Sequence, residues 1–167
     1  MTVQISVIGG SEANGHALAS AEQIGYALAS AGAVTITGGL GGVMAAACRG
    51  AKSAGGLTVG ILPGSDPAAA NEWVDVIIAS GLGEARNALV VSSATAVVAV
   101  GGEYGTLSEI ALALRAGIPV IGVDTWHLVR PDGEGDSKMI RVSDPLAAAA
   151  EALRLARPDG GRLGPSN

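Results

Sequence analysis

Apolar residues recur along the chain in short continuous runs, each closed by glycine and followed by a stretch with apolar positions at helical spacing. Val3-Gln4-Ile5-Ser6-Val7-Ile8 closes on Gly9-Gly10-Ser11, and Ala17 to Ala31 then places Leu18, Ala21, Ile24 or Gly25, and Leu28 on one helical face. The unit repeats: Gly32 ends that helix, Val34 to Thr37 is strand-like, Gly38-Gly39-Leu40-Gly41-Gly42 is the turn, and Val43 to Ala54 is helical. Leu57 to Leu62 and Val74 to Ala79 predict two further strands, separated by the turn-rich Pro63-Gly64-Ser65-Asp66-Pro67. A helix over Glu84 to about Ser93 precedes a fifth strand, Thr95 to Val100, then the turn Gly101 to Gly105 and a helix over Leu107 to Ala116. Ile118 to Val123 is the sixth strand, Met139 to Val142 predicts a short edge strand, and Pro145 to Ala156 the last helix.

Strands that are apolar throughout and alternate with helices need cover on both faces. The fold class is therefore α/β: a doubly wound, mostly parallel sheet of six to seven strands with helices on both faces. Connections this short demand right-handed crossovers, and ligands of such sheets bind outside the carboxyl ends of the strands. Four glycine-bearing turns leave strand ends, at Gly9-Gly10, Gly38 to Gly42, Pro63-Gly64 and Gly101 to Gly105, and all four are expected to converge on one crevice. One domain is expected over 1–156, with 157–167 as a loose tail too poor in apolar residues to pack.

Composition sharpens this picture. Hydrophobic residues make up 49% and charged residues 15%, which excludes disorder for the body of the chain and points to surface covered by a second subunit. The net charge of −5 leaves no basic face for nucleic acid. No apolar run reaches the ~20 residues that span a bilayer, and no basic leader precedes the first strand, so the expected compartment is the cytoplasm. The single cysteine, Cys48, cannot form an internal disulfide, and neither His16 nor His127 has partners at metal-ligand spacing, so no metal site is expected.

The turn Gly101-Gly102-Glu103-Tyr104-Gly105-Thr106-Leu107-Ser108-Glu109 carries the densest chemistry. A strand that ends in glycines and hands over to a helix presents unpaired N–H groups and the positive end of the helix dipole, which together bind anions. The same residues also spell a capping box, Thr106-x-x-Glu109, in which the turn is only a tight connection. Gly83-Glu84-Ala85-Arg86-Asn87 adds a guanidinium whose planar fork suits phosphate oxygens, and Arg86 and Glu109 open helices that follow neighbouring strands. Neither Gly9-Gly10-Ser11 nor Gly38 to Gly42 completes the dinucleotide fingerprint G-x-G-x-x-G, and no lysine follows a glycine loop as in a P-loop.

Gly38-Gly39-Leu40-Gly41-Gly42-Val43-Met44, Gly60-Ile61-Leu62-Pro63-Gly64, Gly83 to Asn87 and Gly101 to Glu109 together resemble the LOG-type family often labelled "possible lysine decarboxylase". Within it, the branch containing the molybdenum cofactor carrier proteins is the most similar. The resemblance covers about Val3 to Val123 and implies a modified Rossmann fold, a homodimer or higher homo-oligomer, and a small phosphorylated ligand: a nucleoside monophosphate or a molybdopterin-type compound, with no required cofactor. It implies ligand contacts at Gly10, Ser11, Gly38, Gly39, Gly41, Gly42, Arg86, Asn87, Gly101, Gly102, Glu103, Gly105 and Thr106. Members that hydrolyse the N-glycosidic bond of nucleoside 5′-monophosphates, freeing base and ribose 5-phosphate, use an Arg and a Glu matching Arg86 and Glu109 as the catalytic pair, so both a carrier and a phosphoribohydrolase stand as expectations. Decarboxylation has no support, since neither Lys52 nor Lys138 is placed to hold pyridoxal phosphate. The hydrolases carry Pro-Gly-Gly-x-Gly-Thr-x-x-Glu with Arg-Lys upstream. Here Gly101 replaces the Pro and Asn87 the Lys, as in the carrier branch, while Glu103 fits neither pattern and sets a carboxylate in an anion cradle.

Overall fold

A computed structural model describes residues 2–135 and 138–156. The segment 157–167, expected to be a loose tail, lies outside the described residues. In chain order the elements are β1 (Gln4–Gly9), α1 (Gly15–Ser30), β2 (Val34–Thr37), α2 (Val43–Ser53), β3 (Thr58–Leu62), β4 (Val76–Ala79), α3 (Asn87–Ser92), β5 (Ala96–Val100), α4 (Tyr104–Arg115), β6 (Val120–Val123), β7 (Met139–Val142) and α5 (Pro145–Leu155). Short 3-10 turns occupy Pro67–Ala69 and Gly83–Arg86.

The strands form one seven-stranded sheet in the order β4-β3-β2-β1-β5-β6-β7, every pairing parallel. From β1 the chain winds outward to β4, then returns to lay β5 on the other flank of β1 and winds outward to β7. The direction of winding reverses between β1 and β5, which opens a crevice at their carboxyl ends. This is the doubly wound α/β, Rossmann-like architecture expected from the alternation of apolar runs and helices.

Side chains alternate between the faces of the sheet. Ile5 and Val7 of β1, with Val98 and Val100 of β5, pack beneath α1, α2 and α5. Ile8, Ile36, Ile61, Val97 and Ala99 face the other way, onto Val90 and Val91 of α3 and Ile110 and Ala113 of α4. Asn14 and Asp144 cap α1 and α5 by accepting from the N–H groups of Ala17 and Ala147. Helices α1 and α2 approach closely enough that a Cβ on Gly25 would overlap the carbonyl of Ala47, and one on Gly50 the carbonyl of Glu22.

Local differences from the sequence expectation have physical causes. β4 begins at Val76 rather than Val74, because Asp75 turns aside to accept from the N–H and hydroxyl of Thr58 and from Lys52. The helix expected over Glu84 to Ser93 is broken into a 3-10 turn and the six-residue α3. α4 starts at Tyr104, three residues before the expected Leu107, with Glu103 at the capping position making no side-chain cap bond. β4 is an open edge: Val76, Ile77 and Ile78 are each more than 40% exposed. Among the described residues no helix is long and apolar enough to cross a membrane.

The glycine contact between α1 and α2 yields a prediction. Gly25→Val forces a branched side chain into the Ala47 backbone and is expected to destabilise the fold by about 3 kcal/mol, lowering the thermal midpoint by several degrees. Thermal unfolding followed by circular dichroism measures it, and an unchanged midpoint would show that the helices separate freely.

Candidate functional site

Two strand ends set the floor of the site. Gly9 of β1 lies in register with Val100 of β5, so the Gly9-Gly10-Ser11 and Gly101-Gly102 turns leave the sheet side by side. Gly101 and Gly102 have φ of 53° and 97°, the left-handed backbone that lets the chain turn from β5 into α4. The turn after β2 locks onto the first: the Gly10 carbonyl accepts from the N–H of Val43 at 3.0 Å. Between the three turns lies a cavity of about 360 Å³.

Arg86 enters this cavity from the 3-10 turn ahead of α3. That turn hangs from the end of β3, with Gly83 N–H donating to the Pro63 carbonyl at 2.9 Å and Gly81 N–H to the Gly64 carbonyl at 3.0 Å. Pro63-Gly64 was expected to line the crevice and does not, since β3 stands two strands from the switch point. It anchors the arginine-bearing segment instead. The guanidinium lies against the backbone of Gly38, where any Cβ would overlap Nη1. Arg86 is 7% exposed, and its Nε and Nη1 are buried without hydrogen-bond partners.

Glu109 faces Arg86 from α4, also 7% exposed, with Oε1 3.9 Å from Nη1. That separation is too long for a hydrogen bond, so the two charges attract without being joined. Burial pushes the Glu109 carboxyl up to about 7; the Arg86 charge opposes the rise and Glu84 adds to it. Asn87 is buried at the start of α3 and donates to the Ser108 hydroxyl at 3.0 Å, tying α3 to α4 beneath the pair. The capping box does not form. Thr106 and Glu109 both lie inside α4 and are buried, so this pair of residues is turned into the site and not spent on the helix end.

Of the residues singled out from the sequence, Gly10, Ser11, Gly38, Arg86, Asn87, Glu103, Gly105, Thr106 and Glu109 line the one cavity. Gly39, Gly41, Gly42, Gly101 and Gly102 stand outside the lining; Gly42 packs on the backbone of Gly10 and Ser11, and Gly102 on Thr106. Sequence reasoning missed Glu12, Leu40, Met44 and Glu84 as lining residues. Glu84 lies within the Gly83 to Asn87 motif, which was its only local signal. Glu12 follows directly on the Gly9-Gly10-Ser11 turn, and that adjacency was its only signal.

Glycine turns gathered at the switch point of a parallel sheet, beside a buried guanidinium, mark a Rossmann-like α/β protein. The chain belongs to the SLOG cluster4 family, whose sequence model matches residues 2–149. It is 48% identical over 115 residues to an uncharacterised protein of Archaeoglobus fulgidus, covering 69% of this chain and 76% of that one. Among solved structures it is similar to the molybdenum cofactor binding protein of Rippkaea orientalis, with a TM-score of 0.83 at 37% identity over 92% of this chain and 96% of the other. It is also similar to the molybdenum cofactor carrier protein of Chlamydomonas reinhardtii, with a TM-score of 0.80 at 35% identity over 94% and 100%. These similarities agree with the LOG-type resemblance and its carrier branch.

The raised Glu109 value links stability to pH. A folded value near 7 against the ordinary 4.5 means that the folded state favours the neutral acid. Its contribution is full below about 4.5 and is lost as pH rises through 7. Glu109→Gln keeps a neutral side chain at every pH, so the variant should match the parent at pH 4 and exceed it at pH 8 by on the order of 3 kcal/mol. Denaturant unfolding at the two pH values reads the difference, and equal stabilities at pH 8 would contradict the burial account.

Proposed function

We propose that the crevice binds a phosphorylated nucleotide-like or pterin-like ligand, in the manner of a molybdenum cofactor carrier. One observation carries this reading: the Arg86 guanidinium is buried with Nε and Nη1 unpaired, at the edge of a cavity framed by glycine turns. A buried, unsatisfied cation is costly, and an anionic oxygen acceptor relieves it. The names of the similar Rippkaea orientalis and Chlamydomonas reinhardtii proteins support a cofactor of the pterin class. Around the arginine, Glu12, Glu84 and Glu103 offer acceptors for the N–H groups of a pterin or purine ring. Among the described residues no group of three His, Cys, Asp or Glu is placed to hold a metal.

A second reading rests on Glu109. A carboxyl with a value near 7 beside a guanidinium suits general acid–base work on an N-glycosidic bond: it takes a proton from the water that adds at the anomeric carbon, while the departing base carries the bonding pair away. Calorimetry with adenosine, guanosine and pterin monophosphates, followed by assay for free base and ribose 5-phosphate, separates the two. The carrier reading expects binding with the ligand recovered intact, and Arg86→Ala to weaken binding by about 10- to 100-fold. Absence of binding by the parent protein at millimolar ligand would end both readings.

We also propose a homodimer formed across the face that carries α3 and α4. Val76 and Ile78 lie in register with Val59 and Ile61, which face that layer, yet the six-residue α3 is too short to cover the edge of the sheet. Leu89 on α3 is itself 39% exposed. A second copy supplies the missing cover. Sedimentation should give a dimer at micromolar concentration, and Ile78→Asp should shift it to monomer; a parent protein that sediments as a monomer would refute the assembly.

A further inference from the structure

The chain has only two tyrosines, two tryptophans and no phenylalanine, and the fold brings one of each together beside the crevice. Tyr104 is the first residue of α4, set between Glu103 and Gly105, both of which line the cavity. Tyr104 is 79% exposed, the highest value among the exposed large hydrophobic residues. Trp126, on the segment that follows β6, holds it at a ring-centroid distance of 5.6 Å and a tilt of 41°. Trp126 is fixed in turn. Its indole N–H donates to the Glu103 carbonyl at 3.2 Å, its own carbonyl accepts from Arg141 at 2.8 Å, and its ring packs on the core beneath α4.

An exposed aromatic ring set against a fixed neighbour gains little burial from folding, and its open face is free to meet a ligand. A planar ring laid on Tyr104 meets a surface that is already in place. The distance suits one molecule reaching both ends. Gly38, under the Arg86 guanidinium, follows β2, and Tyr104 follows β5; two strand spacings of about 4.8 Å separate those strand ends, roughly 10 Å along the crevice. That is the reach of a nucleoside or pterin monophosphate, not of inorganic phosphate alone.

We propose that Tyr104, braced by Trp126, is a stacking platform for the planar heteroaromatic ring of the ligand whose anionic end Arg86 holds. The proposal rests on the binding function argued above and adds to it a subsite that chooses ligands by their ring. Every base or pterin has a π-face, so the platform sets the ring's position and strengthens its hold while leaving the choice among rings to polar groups on its edge.

The test compares ligands with and without a ring: guanosine 5′-monophosphate and a pterin monophosphate against ribose 5-phosphate. Affinities are measured by calorimetry for the parent protein, Tyr104→Ala and Tyr104→Phe. Tyr104→Ala should weaken the ring-bearing ligands by about 5- to 150-fold and leave ribose 5-phosphate within twofold, while Tyr104→Phe retains parental affinity. Equal weakening of all ligands would mean that residue 104 acts through the start of α4, and unchanged affinities would mean that the ring lies elsewhere; either result overturns the platform while leaving the Arg86 site intact. If the parent binds none of the probes, the underlying function fails and the platform with it. Sedimentation of Tyr104→Ala is run alongside, and a changed oligomeric state would assign the ring to a subunit interface and overturn the proposal.

Discussion

The guanidinium of Arg86 is buried with two nitrogens unpaired, 3.9 Å from a carboxylate it does not bond, and much of the surrounding structure is explained by the need to hold it there. An unpaired buried charge is the least favourable group a fold can carry, and side chains with any freedom would turn it to water. Three constraints prevent that escape. Hydrogen bonds from Gly81 and Gly83 to the end of β3 fix the segment that carries Arg86, Gly38 lets the guanidinium lie flat against the backbone, and the Asn87–Ser108 bond joins the two helices beside the pair. Stability given up here is recovered in the two apolar layers, where the strand side chains of β1 and β5 are almost fully enclosed.

Position of the arginine and shape of the cavity both follow from topology. In a parallel sheet the turns after the strands all emerge on one side, but neighbouring connections run away from each other only where the winding reverses. Here that place is between β1 and β5, and the register of Gly9 with Val100 sets two glycine turns side by side at the gap. The turn after β3 does not line the cavity and serves as a hook for the arginine segment. One sequence feature, a glycine turn after a strand, thus performs two different tasks according to its distance from the switch point.

The division between what was legible in the sequence and what was not follows the same line. Apolar runs, glycine turns and helix ends are local, and β2, β7 and most of α1, α2 and α5 fall where periodicity and capping residues put them. Arg86 and Glu109 were legible as a pair because the residues around each form motifs seen together in one family. The competing capping box was equally legible but does not form, because α4 starts at Tyr104, which carries Thr106 past the cap position. The pairing of Tyr104 with Trp126 had no such signal, since it joins the turn after β5 to the segment after β6 and no pattern within one segment encodes that neighbourhood. The exposed β4 edge was hidden likewise, because Val76 and Ile78 read as core residues until the sheet shows them last in line.

The charge of the crevice bounds the ligand further. Glu12, Glu84, Glu103 and Glu109 share the cavity with the single guanidinium of Arg86. With all of them ionised the site would repel a phosphate dianion, and attraction to one arginine would not offset four carboxylates at close range. Two features reduce the conflict. Glu109, with a value near 7, sheds its charge more readily than an exposed carboxyl, and the anion proposed to sit beside Arg86 would push that value higher and draw in a proton. The remaining carboxylates are then matched best by N–H and O–H donors on the ligand, which pterins, purines and sugars carry in abundance and inorganic phosphate does not. For the ligand proposed above, this charge balance suits a molecule whose phosphate is one small part of a larger, donor-rich body. Glu103, the residue that fits neither pattern of the resemblance, lines the same cavity; it would oppose a bare phosphate there and, beside the ring-bearing ligand proposed above, would serve as an acceptor.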